Sequence, residues 1–111
     1  MQLPDFIKNF PALDIPFPEE TVSTHAIRSD AGLVVFFEFH KDFVLPPHSH
    51  LAQWGTLLDG EIEFTINGEP NTLGPGAVWD IPSGVEHGAV IKAGSKAIDV
   101  FEEADRYQLR G

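Results

Sequence analysis

The chain has 111 residues and no cysteine, which excludes disulfides, thiolate zinc sites and cysteine nucleophiles and leaves nitrogen and oxygen to hold any metal. Seven basic residues stand against 17 acidic ones, a formal charge of −10 that argues against the clustered Lys and Arg on which nucleic-acid affinity depends. At 42% hydrophobic and 22% charged, the composition is that of one soluble domain built on a single core, without room for a second catalytic domain.

Residues 1–21 contain Pro4, Pro11, Pro16 and Pro18, which forbid a continuous helix or central strand. They predict an extended N-terminal arm with one short helical turn near Phe6 to Phe10. The arm lacks a basic segment followed by an apolar run, so neither a signal peptide nor a membrane span is expected, and the chain reads as cytoplasmic. Its Phe6, Ile7, Phe10, Leu13, Ile15 and Phe17 are too many apolar groups for a free tail. The arm is therefore expected to pack along the body of the domain or across a partner copy.

Residues 22–111 read as the body. Short β-branched or aromatic runs alternate with turn residues: Val22 to Ile27, Leu33 to His40, Trp54 to Leu58, Glu61 to Ile66, Asn71 to Leu73, Ala77 to Ile81, Glu86 to Ile91 and Lys96 to Phe101. In Glu61 to Ile66 the alternation is strict, which turns Ile62, Phe64 and Ile66 toward a core. Asn67-Gly68 then offers the two positive φ angles of a type I′ hairpin turn, and Leu73-Gly74-Pro75-Gly76 and Ile81-Pro82-Ser83-Gly84 are two further tight turns. About eight antiparallel strands with such turns predict an all-β fold, a jelly-roll barrel. Phe36, Phe39, Phe43, Phe64, Trp54 and Trp79 are expected to fill it.

Pro47-His48-Ser49-His50 is the sharpest chemical signal. Two histidines at i and i+2 on an extended segment point to the same face and can bring two imidazoles to one metal, although solvated histidines have the same spacing. His87 follows a Pro-x-Gly turn at the start of an inward-facing strand, within reach if the fold places that strand nearby. Three neutral histidines with one oxygen donor suit one divalent transition metal: Fe, Mn, Zn, Ni, Co or Cu. His25 and His40 match no pattern and are expected at the surface or the core edge. Glu102-Glu103-Ala104-Asp105 reads as a solvated turn or helix start.

These residues carry a resemblance. His48 to Glu61, with its His-x-His pair and closing Gly60, resembles the first motif of the cupin superfamily. Gly76, Pro82, Gly84 and His87 match the second without a gap. The resemblance covers roughly residues 40–101 and implies a double-stranded β-helix. It departs at Asp42, where the motif usually has Gly, and at the fourth ligand. Counting forward from His50 reaches Trp54, and counting back from Gly60 reaches Gln53. The resemblance implies Gln53, since an amide oxygen can bind a metal and an indole cannot.

Farther on, Ala97-Ile98-Asp99-Val100-Phe101 with Arg106 resembles the small cupins that turn 4,5-unsaturated uronate monosaccharides from pectin and alginate into linear keto acids. That likeness implies Asp99 as the acid or base and Arg106 as the partner of a substrate carboxylate. Phe101 shares strand parity with Asp99, so both can face one cavity. Arg28 is a second candidate for an anionic ligand, and Trp54 a further candidate substrate contact. The expected protein is a homodimeric metal enzyme of carbohydrate metabolism, an isomerase or lyase acting on a small sugar-acid-like molecule, with neither nucleic acid nor membrane as partner. A cupin dioxygenase using Fe or Cu and a non-catalytic small-molecule binding cupin are the alternatives.

Overall fold

The computed structural model describes residues 1–110. A four-residue helical turn, α1 (Asp5–Lys8), precedes eleven strands: β1 (Leu13–Asp14), β2 (Val22–Ser29), β3 (Gly32–Phe39), β4 (Phe43–His48), β5 (Gln53–Asp59), β6 (Ile62–Ile66), β7 (Glu69–Leu73), β8 (Val78–Ile81), β9 (His87–Ile91), β10 (Lys96–Phe101) and β11 (Gln108–Leu109). Two larger sheets face each other, one of five strands in the order β2-β3-β10-β5-β8 and one of four in the order β4-β9-β6-β7. Every pairing is antiparallel. This is the expected jelly roll.

The strands form where alternation and turn chemistry agree. Inward residues of β10 are Ala97, Asp99 and Phe101, all buried, while Lys96, Ile98 and Val100 are more open. At the β6–β7 hairpin Ile66 pairs with Glu69 across Asn67 (φ 51°) and Gly68 (φ 80°), the two left-handed residues that a type I′ turn requires.

The runs read from the sequence omit Phe43–His48, a segment in which Pro46 and Pro47 lack backbone donors. The segment is nevertheless β4. It lies at the edge of its sheet, where outward N–H groups need no partner, and its register with β9 shifts between Leu45 and His48. That irregularity sets His48 opposite His87.

Parity also corrects two aromatic assignments. Gln53, Gly55 and Leu57 face inward on β5, so Trp54 between them faces out and is 45% exposed. Phe36 likewise leaves the barrel interior and meets Phe10 of the arm at 6.3 Å between ring centroids. Phe39, Phe64 and Trp79 are buried core residues.

The arm lies along its own barrel. Leu3 and Leu13 are buried, the Leu13 N–H donates to Thr24 Oγ1 at 2.9 Å, the Ala26 N–H donates to the Pro11 carbonyl at 2.8 Å, and β1 pairs with β11. Two apolar clusters result. One joins Leu13, Ala26, Leu33, Val35 and Phe101 beneath the arm; the other lines the space between the two large sheets.

Candidate metal centre and its cavity

The four-stranded sheet and the loop that leaves β4 supply the histidines. His48 ends β4, His50 lies in the loop before β5, and His87 opens β9 as the register partner of both His48 and Ile66. One ring nitrogen from each lies within 4.8 Å of the others. Ring centroids are 4.3 Å apart for His48 and His87, 4.8 Å for His50 and His87, and 5.1 Å for His48 and His50.

Their hydrogen bonds decide which nitrogen is available. Nδ1 of His48 meets the Pro46 carbonyl at 3.0 Å, Nδ1 of His50 the Leu51 carbonyl at 2.7 Å, and Nδ1 of His87 the Val85 carbonyl at 3.0 Å. A carbonyl only accepts, so each Nδ1 carries the proton and each Nε2 keeps its lone pair. Nε2 of His87 is buried without a partner among the described residues. Burial, aided by the neighbouring histidines and Arg106, holds the pKa of His87 below the ordinary histidine value. His50 is lowered too, first by burial. Neutral imidazoles with fixed tautomers and converging lone pairs are what a divalent metal requires, and backbone carbonyls on the far nitrogens are the usual orienting partners. The residues therefore fit such an ion.

The five-stranded sheet supplies the opposite wall. Gln53 begins β5 and donates from Nε2 to Asp99 Oδ1 at 2.7 Å. Trp79, on β8, donates from Nε1 to the same oxygen at 2.7 Å. Burial pushes the Asp99 carboxyl up to about 6, against these two bonds, which pull it down. Among the described residues neither Asp99 Oδ2 nor Gln53 Oε1 takes part in a hydrogen bond. A cavity of about 90 Å³ lies between the sheets, lined by His48, Gln53, Trp79, Asp99, Phe101 and Tyr107 together with apolar residues of both clusters. This space suits a small molecule rather than a polymer chain.

Arg106 approaches from the C-terminal segment. Its guanidinium carbon lies 5.0 Å from the centroid of the Tyr107 ring, its charge lowers both His50 and His87, and its Nε is buried without a partner among the described residues. Arg28 and Trp54 are not brought to the cavity. Arg28 sits near the outer end of β2, 3.4 Å from Gln108 Oε1, and Trp54 lies on the far face of β5. His25 and His40 are also elsewhere, paired with Glu38 and Ser23 at 2.7 Å.

Three contributions escaped the sequence reading. Glu103 and Glu102, read as a solvated turn, accept the N–H groups of Leu51 at 2.8 Å and Ala52 at 3.0 Å and so brace the loop that carries His50. Trp79, read only as core, holds Asp99. Tyr107, not singled out, stands edge-on to Phe101 at 5.7 Å and adds a phenol to the cavity wall. No local pattern marks any of these, because each depends on a cross-chain contact.

Among curated proteins none matches this chain. Among solved structures, KdgF from Halomonas sp. is 28% identical, with a TM-score of 0.69 over 81% of this chain and 83% of that one. An RmlC-like cupin from Shewanella frigidimarina is 24% identical, with a TM-score of 0.75 over 89% and 88%. Oxalate decarboxylase from Bacillus subtilis, 19% identical, aligns over 89% of this chain but 28% of its own length with a TM-score of 0.71. The family described as the cupin domain matches residues 35–101, the span that contains both histidine motifs and Asp99. With the jelly roll and its paired motifs, that match makes the chain a member of the cupin family.

Proposed function

We propose that this cupin is a metal-dependent enzyme that opens the ring of a 4,5-unsaturated uronate monosaccharide. The observation that carries the reading is the meeting of two unlike walls. Three histidines with free Nε2 atoms converge beside a cavity that His48 lines and whose wall also holds a buried carboxylate with one oxygen uncommitted. His48, His50, His87 and the Gln53 amide oxygen are the proposed ligands. An ion bound there would act as a Lewis acid toward substrate oxygens. The ligand set is uncharged, so an anionic substrate would balance the ion's charge. Fe, Mn, Zn, Ni, Co and Cu all suit such donors.

The chain's own residues supply the rest. Asp99 is the proton carrier through Oδ2, taking the proton of the anomeric hydroxyl as the bond from C1 to the ring oxygen breaks. The released enolate becomes a ketone when that proton is delivered to C4. Atoms balance, and neither oxidant nor water is consumed. Arg106 pairs with the substrate carboxylate, offsetting locally the long-range repulsion expected of a chain with charge −10. Phe101 and Tyr107 wall the ring and exclude water.

The likeness to KdgF, in sequence as well as fold, supports this substrate class over others that cupins accept. The test is the absorbance of the substrate's 4,5-double bond in the presence of metal-loaded protein. Decay well above the spontaneous rate, lost in Asp99→Asn, is expected. No such decay removes this substrate. Oxygen uptake, measured alongside, is expected to be nil; uptake would favour a dioxygenase instead.

The reading includes a cytoplasmic setting and a homodimer. Ile27, Val34, Val100 and Trp54 are successive cross-strand neighbours on the outer face of the five-stranded sheet, with Ile27 49% and Trp54 45% exposed. An uncharged stripe is where two strongly acidic copies can meet with least repulsion. Light scattering is expected to give twice the 12.2 kDa chain mass, reduced to one chain by Trp54→Glu; a monomeric wild type would contradict the dimer.

A further inference from the structure

We propose that Trp79 and Asp99, with Gly55 making room for them, are positioning residues that set which way the Gln53 amide faces, so that its oxygen rather than its NH2 group meets the three histidines. The inference rests on the metal reading above and adds to it a device for the fourth ligand.

A primary amide has nearly the same shape either way round, so packing alone does not choose between its two orientations. Only one orientation offers a lone pair to an ion; the other offers two N–H donors. Asp99 makes the choice. An ionised carboxylate accepts only, so the amide must turn Nε2 toward Oδ1, at 2.7 Å, and this leaves Oε1 on the opposite side. Reversal would set two oxygens against each other in a buried space.

The carboxylate must itself be held for this to work. The Trp79 N–H meets the same Oδ1 at 2.7 Å, so rotation of the carboxylate would break two bonds at once. Gly55 is the register partner of both Asp99 and Trp79. A Cβ there would lie 2.5 Å from Asp99 Oδ1 and 2.6 Å from the Ile98 carbonyl oxygen, and would collide with Trp79 Nε1. A main-chain carbonyl cannot swing aside as a side chain can, so the Trp79, Asp99 and Gln53 series fits only against glycine.

Core filling alone would also explain a buried Trp79, and the experiment separates the two roles. Metal-stripped full-length protein is titrated with Co(II) alone. Affinity is read by competition with a chromophoric chelator, and the ligand set by the visible Co(II) spectrum. The variants are Trp79→Phe, Gln53→Ala and the double variant, with Leu57→Val as a packing control in the same core. Trp79→Phe is expected to weaken Co(II) binding about 10- to 100-fold, as loss of an orienting partner does, and to move the spectrum toward that of Gln53→Ala. The double variant is expected to bind no more weakly than Gln53→Ala, and Leu57→Val to bind as wild type. Wild-type affinity in Trp79→Phe, or an equal loss with and without Gln53, overturns the proposal. If Trp79→Phe does not fold, Asp99→Leu, which keeps the branched outline with methyl groups in place of the oxygens and removes the acceptor, is read by the same criteria. A folded wild type that takes up no Co(II) removes the metal reading and this inference together, whereas uptake insensitive to Trp79 and Asp99 removes only the inference.

Discussion

The two apolar clusters are built from the same residue types but differ in what they surround. Beneath the arm, Leu13, Leu33 and Val35 show no exposure and Phe101 and Ala26 close the layer, so the space is filled. Between the large sheets, Phe39, Ile62, Phe64, Ala89 and Ile91 are as apolar, yet they enclose a cavity and admit Asp99, Gln53 and His87 among them. Ile15 and Phe37 pack against both. The filled cluster contributes stability through burial. The hollow one sets aside part of that gain to keep polar groups dry and oriented. Changes in the first should be felt in unfolding and changes in the second in chemistry.

The largest expected effect falls on the hollow side. His48→Ala combined with His50→Ala should take metal content from near one ion per chain to none, measured by plasma mass spectrometry, with the fold retained by circular dichroism. Asp99→Asn should next lower turnover of the unsaturated uronate about 100- to 10,000-fold, the usual worth of a positioned proton carrier. On the filled side, Leu33→Ala should cost about 2–5 kcal/mol in urea unfolding while Co(II) affinity stays at the wild-type value. A matching loss of affinity would mean that the two clusters are not independent.

A smaller effect is read by pH in the metal-free protein. Asp99 titrates near 6 in the fold against an ordinary 3.8, so between those values the folded chain holds a proton that the unfolded chain has released. Stability should therefore fall as pH rises through this window, by on the order of 3 kcal/mol in total, and then level off. Asp99→Asn should flatten that segment of the urea-stability profile. An unchanged slope would place the titration elsewhere.

Much of this was legible in the sequence because it is local. Period-two alternation in β6, the positive-φ pair at Asn67-Gly68 and the His48 and His50 pair each follow from neighbours in the chain, whereas His87 joined them through the likeness to the paired cupin motifs. What was not legible depends on facing strands. Trp54 looked like a cavity residue until its parity relative to Gln53 was known, since one residue along a strand reverses the face. Arg28 shares the inward parity of β2 but lies near that strand's open end. Glu102 and Glu103 have the composition of a solvated turn, and only the return of the chain beside Leu51 and Ala52 gives their carboxylates partners. Strand β4 went unread in a segment with two prolines, whose missing donors matter only if another strand lies on that side.

Those prolines have a second effect. Val44 on β4 is 65% exposed, and a bare apolar strand at a sheet margin is a template on which other chains can extend the sheet and aggregate. Successive residues of a strand turn their N–H groups to opposite sides, so Pro46 and Pro47 together remove one donor on the β9 side and one that an incoming strand would need. The segment that presents the first histidine is thus protected from fibril-like growth by the same residues that break its register, and the rim of the cavity can stay open to solutes without becoming adhesive.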